Sequence, residues 1–109
     1  MHYTHHAAFA ALLATTGLAQ ATPVEFEIVI KDHQFTPSTL IVPVDKKIKL
    51  KVINADATAE EFESYKLNRE KIIPGNSKAV VFIGPLEAGE YDFFGEFNPA
   101  TAQGKIIAQ

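Results

Sequence analysis

The stretch Lys47-Ile48-Lys49-Leu50-Lys51-Val52-Ile53-Asn54 decides the fold class. Ile48, Leu50 and Val52 alternate with three lysines, a period of two. In an extended chain successive side chains point to opposite faces, so this pattern builds a strand with one apolar face and one wet face. The lysines are expected to point outward, where they would also discourage edge pairing. Outward from this stretch the same period recurs. Glu25 to Lys31 places Phe26, Ile28 and Ile30 on one face, and shorter strands fit 39–42, 79–83, 90–94 and 105–108. Pro37, Pro43, Pro74-Gly75, Gly84-Pro85 and Ala88-Gly89 all fall between the runs and read as turns. Residues 56–63, rich in Ala and Glu, are the least strand-like and predict a short helical or irregular segment. Short strands at this spacing predict an all-β Greek-key β-sandwich, with a small all-β barrel as the alternative on pattern alone.

The first residues read as an address. Ala7 to Leu18 is an apolar run too short to cross a bilayer as a helix. It ends in Ala19-Gln20-Ala21, the small-x-small pattern that a signal peptidase cuts. The preceding segment carries His2, His5 and His6 but no Lys or Arg. Residues 1–21 are therefore expected to be a cleaved signal peptide, and 22–109 a single exported, periplasmic domain that does not span the membrane. That domain keeps one imidazole, His33, and the chain has no Cys, so no disulfide supports the fold. The chain carries 10 basic and 13 acidic residues for a net charge of −3. This balance offers no polycationic surface for nucleic acid or anionic lipid. No phosphate-cradling glycine loop, zinc spacing or nucleophile–base context is present.

Two segments carry a resemblance. Phe35-Thr36-Pro37-Ser38-Thr39-Leu40-Ile41-Val42-Pro43, followed by the Asn-ending stretch 47–54, resembles the opening of cupredoxins. Leu86 to Gly95, then Gly104-Lys105-Ile106-Ile107, resembles the end of the same fold. Between them, Glu60-Glu61-Phe62-Glu63-Ser64 and Ile72-Ile73-Pro74-Gly75-Asn76-Ser77 are similar to the cupredoxin-like domain of periplasmic iron-uptake proteins of the EfeO type. The resemblance implies a cupredoxin-like component of a ferrous-iron uptake system. Such a component would bind, deliver or help to oxidise iron beside an iron permease complex or another periplasmic iron-uptake protein. A non-metal docking module and a periplasmic copper carrier are the alternatives.

A blue-copper centre needs a thiolate and two imidazoles, usually with a weak axial thioether. In the resemblance, Glu61 stands near the first His slot, and Gly95, Asn98 and Ala102 stand in the last-loop slots. A blue copper site is excluded by inventory, so copper is not expected in that form. Iron is the expected cofactor or cargo. Glu61 and Glu63 match the acidic pair of the iron-uptake group, and Asp92, Glu96 and His33 are the further candidate ligands. Carboxylates suit a hard ion such as Fe³⁺, Fe²⁺ or Mn²⁺. Acidic loop residues are also commonly just solvated, and a lone His is often structural. Of the aromatics, either Phe93 or Phe94 is expected to pack inward, and Phe97 is expected to offer an exposed contact.

Overall fold

The computed structural model describes residues 22–109. The expected signal peptide, 1–21, lies outside the described residues. Nine strands form the domain: β1 (Val24–Lys31), β2 (Gln34–Thr36), β3 (Thr39–Val42), β4 (Ile48–Asn54), β5 (Glu60–Ser64), β6 (Arg69–Ile73), β7 (Ser77–Ile83), β8 (Gly89–Gly95) and β9 (Gln103–Ala108). They make an all-β sandwich of two mixed sheets. One sheet has the order β2-β1-β4-β7 and the other β3-β9-β8-β5-β6. The parallel pairs are β1 with β4 and β3 with β9; the remaining ladders are antiparallel.

The alternation read from the sequence becomes the core. Ile48, Leu50 and Val52 are fully buried, as are Ile28 and Ile30 of the neighbouring β1. From the other sheet, Phe62 and Phe93 stack at 5.0 Å, and Phe35 meets Phe93 edge-on at 4.9 Å. Such offset and T-shaped pairs add about 0.5–1.5 kcal/mol each beyond the area they bury.

Three expectations are corrected. β4 lies between β1 and β7, so its lysines guard no edge. Lys49 and Lys51 instead reach Glu25 and Glu27 on β1, at 3.8 and 3.5 Å. The irregular segment is confined to 55–59, no helix occurs among the described residues, and Glu60 to Glu63 belong to β5. Two strands had no sequence signal: β2, three residues long, and β6, whose first four residues are exposed. Arg69 on β6 donates from Nε to the carbonyl of Phe82 on β7, tying an edge of one sheet to an edge of the other.

Buried Asn54 ends β4 and organises the loop that follows. Its Nδ2 donates to the carbonyls of Thr58 (2.8 Å), Ile73 (3.1 Å) and Pro74 (3.3 Å), and its Oδ1 accepts from the Asp56 amide (3.0 Å). The loop also lies against Gly75, where a Cβ would overlap the Ala57 carbonyl. Asn54 and Gly75 thus set how the chain enters β5, which carries the candidate ligands.

Candidate functional site

β5 sorts its residues by parity. Glu60, Phe62 and Ser64 point inward and are buried, while Glu61 and Glu63 point outward. The ladder with β6 sets Glu63 directly opposite Glu70. Carboxylate oxygens of Glu61, Glu63 and Glu70 all lie within 4.8 Å of one another. Glu96 follows β8, and its amide donates to the Glu61 carbonyl at 2.9 Å, which brings it alongside. None of these four glutamates takes part in the ion pairs found among the described residues.

Like charges placed this closely raise one another's proton affinity. Partial desolvation raises the Glu61 carboxyl above its ordinary value, followed by repulsion from Glu70, Glu96 and Glu60. Glu63 is raised by the same desolvation, then by Glu70, Glu61 and Glu96, with a hydrogen bond to Glu70 adding to it. Sequence reasoning missed Glu70. Its only signal is the β5–β6 register, which no local pattern in 69–73 reveals.

The other candidates stand apart from this group. Asp92 lies in register with Lys105 on β9. His33 belongs to a two-residue hairpin turn between β1 and β2. Asp32 and His33 both have positive φ, 53° and 57°, as a type I′ turn requires. Asp56 reaches across to cap that turn, its carboxylate accepting from the Asp32 and His33 amides at 2.8 and 2.9 Å. The His33 ring lies 3.6 Å from the same carboxylate. The His33 amide leads the causes that hold the Asp56 carboxyl below its usual value, against a smaller opposing effect of burial. The arrangement gives His33 a structural place in the turn.

The loop end of the sandwich is closed. Glu60, 1% exposed, turns its carboxylate into the space between β5 and the 96–102 loop. Oε1 accepts from the amides of Glu61 (2.9 Å) and Phe97 (2.8 Å), and Oε2 accepts from Nδ2 of Asn98 (2.8 Å). A Cβ on Gly95 would stand 2.6 Å from both the Glu60 carboxylate and the Ala102 Cβ. A cysteine at position 95 therefore has no room. Together with the absence of Cys from the chain, this leaves the loop end unsuited to the thiolate–imidazole set of blue copper. Sequence reasoning placed Glu61 in this neighbourhood; the parity of β5 puts Glu60 there instead. The inward position of Phe62 was the available signal.

The aromatics sort as expected. Phe93 is buried, Phe94 faces outward and meets Tyr65 at 5.5 Å, and Phe97 is 49% exposed.

A two-sheet, nine-strand sandwich with a closing loop after β8 defines a domain of the cupredoxin class. The chain belongs to the cupredoxin-like domain family, whose sequence profile it matches over residues 4–108. It is 48% identical over 84 residues to the uncharacterized protein RP394 of Rickettsia prowazekii (strain Madrid E), covering 77% of this chain and 67% of that protein. Among solved structures, auracyanin A, a "blue" copper protein from Chloroflexus aurantiacus, superposes with a TM-score of 0.69 at 16% identity, covering 81% of this chain and all of that one. The metal-binding domain of the Cu(I)-exporting P-type ATPase CopA of Streptococcus pneumoniae D39 gives 0.71 at 12% identity, covering 84% and 91%. At such identities these likenesses establish the fold. No helix among the described residues is long and apolar enough to cross a membrane.

Proposed function

We propose that this domain handles a hard metal cation, iron above all, on the outer face of β5 and β6, as an exported component of a ferrous-iron uptake system. The observation that carries the reading is the set of carboxylates Glu61, Glu63 and Glu70, with oxygens within 4.8 Å and no cationic side chain paired to them among the described residues. Oxygens bonded to one hard ion at about 2.0–2.6 Å stand at most about 4–5 Å apart, so the spacing suits a shared ion. A bound cation would relieve the repulsion that raises Glu61 and Glu63. The open, outward placement favours binding and release over catalysis at a fixed centre. Export, and delivery beside an iron permease complex or another periplasmic iron-uptake protein, rest on the sequence resemblance.

A second reading is supported by Tyr65, 78% exposed beside Glu63 and Glu70, and by the exposed Phe97, aromatic surface that suits a protein-docking module. A copper carrier draws support from the fold neighbours alone. It would have to hold copper without sulfur, through oxygens and His33.

Titration of the full chain with Fe²⁺ under anaerobic conditions, Mn²⁺ and Cu²⁺ separates the three readings. Fe²⁺ and Mn²⁺ are expected to raise Tm with the logarithm of metal concentration, and Glu61→Gln with Glu63→Gln to abolish the rise. Cu²⁺ is expected to give no intense thiolate charge-transfer band. An unchanged Tm with every metal would refute the cation reading and favour docking. Tight Cu²⁺ binding that survives the double substitution and is lost in His33→Gln, and so is not held by His2, His5 and His6 of the full chain, would favour the carrier.

A further inference from the structure

The buried Glu60 carboxylate has no cation beside it and no part in the outward carboxylate group, yet it is the most enclosed charged side chain among the described residues. Its three partners come from two separate pieces of chain. Glu61 belongs to β5 itself; Phe97 and Asn98 belong to the loop between β8 and β9, 37 and 38 residues away. We infer that Glu60 is a carboxylate clasp that joins β5 to the 96–102 loop without metal, and a positioning residue that sets Glu96 beside Glu61.

The geometry supports both halves. The Phe97 and Glu61 amides converge on one oxygen of Glu60, so the residues adjoining Glu60 and Phe97 on the outer side, Glu61 and Glu96, are brought together. Their backbones are joined again by the Glu96 amide and Glu61 carbonyl. The second carboxylate oxygen holds Asn98, whose own carbonyl accepts from the Thr101 and Ala102 amides and so shapes the rest of the loop. Gly95 and Ala102 leave the space into which the carboxylate fits. Hydrogen bonds are electrostatically stronger where water is excluded, and donors left without their acceptor in such a place are costly. The positioning half rests on the cation reading given above; the clasp itself does not.

Amide hydrogen exchange on the metal-free full chain tests the clasp, and Mn²⁺ titration tests the positioning. Glu60→Ala is expected to speed exchange at Phe97 about tenfold or more. Glu60→Gln keeps Oε1 as an acceptor for both amides, and Asn98 can turn its amide over to meet the new Nε2 donor with Oδ1, so most of the protection at Phe97 is expected to be retained. Mn²⁺ affinity is expected to fall in Glu60→Ala by about as much as in Glu96→Gln, and no further in the double variant, while Glu60→Gln restores it. If Glu60→Ala does not fold, Asn98→Ala, which removes only the Oε2 partner, is expected to loosen 97–102 in the same exchange measurement. Unchanged Phe97 protection in Glu60→Ala, or in Asn98→Ala unchanged protection over 97–102, overturns the clasp. A lower Tm with unaltered Mn²⁺ affinity, or additive losses with Glu96→Gln, overturns the positioning role. A wild-type chain that binds no Mn²⁺ sinks the cation reading and the positioning role together, and leaves the clasp to be decided by exchange.

Discussion

Replacing Asn54 gives a prediction with a sign that depends on chemistry rather than on size. The side chain is 1% exposed, and its Nδ2 faces three carbonyls while Oδ1 holds one amide. Asn54→Ala removes these bonds and leaves buried carbonyls without a donor. At about 1 kcal/mol net for a bond, and more for a group left unsatisfied, the loss is about 2–4 kcal/mol. A domain of this length is expected to have a total stability of about 4–13 kcal/mol, and each kcal/mol lost is worth about 4–8 °C in Tm. Asn54→Asp is nearly isosteric, yet it turns a donor into an acceptor and points a negative charge at the carbonyls of Thr58, Ile73 and Pro74. The introduced carboxyl would have its pKa raised in the folded state. Stability linked to such a group is present below its unfolded pKa and is lost as pH rises through the folded value. Asn54→Asp should therefore be more damaging than Asn54→Ala at neutral pH and recover as the solution is acidified. Urea denaturation of the full chain across pH checks this. An Asn54→Asp variant as stable as wild type at neutral pH, or one whose deficit does not shrink on acidification, would show that Asn54 does not act through the carbonyls named here.

Phe62→Ala removes the centre of the Phe35–Phe62–Phe93 group and is expected to cost about 3–5 kcal/mol, read as a fall of tens of degrees in Tm. In metal-free protein, the raised carboxyls of Glu61 and Glu63 favour the folded state once protonated, so their share of stability is lost as pH rises through their folded values. Asp56, whose carboxyl is lowered, behaves oppositely: its share is present above the unfolded value and lost as pH falls through the folded one. Glu61→Gln with Glu63→Gln should flatten the first limb of the pH–stability profile, and Asp56→Asn the second. Intact mass of the exported protein is expected to begin at Thr22; a mass that retains Met1 contradicts the signal-peptide reading.

The sequence by itself determined the alternation of β1 and β4, and with it the sandwich. Alternation is a local property, because each residue's face follows from its parity along an extended chain. It also settled the absence of thiolate chemistry, since an inventory needs no coordinates. Three strands escaped: β2 is only three residues long, β6 runs along an edge with four exposed residues, and β5 buries Glu60 and Ser64 on either side of Phe62, so none leaves an apolar period. The candidate site divides along the same line. Glu61 and Glu63 were legible as an acidic pair, but in a segment read as irregular; only the strand β5 turns both outward. Glu70 joined them only through the β5–β6 register, and His33 stands in the β1–β2 turn with its ring beside Asp56. Glu60 was visible as a letter but not as a clasp. Its role arises where β5 meets a loop almost forty residues later, and no pattern along the chain encodes a contact that only the folding of two sheets against each other creates.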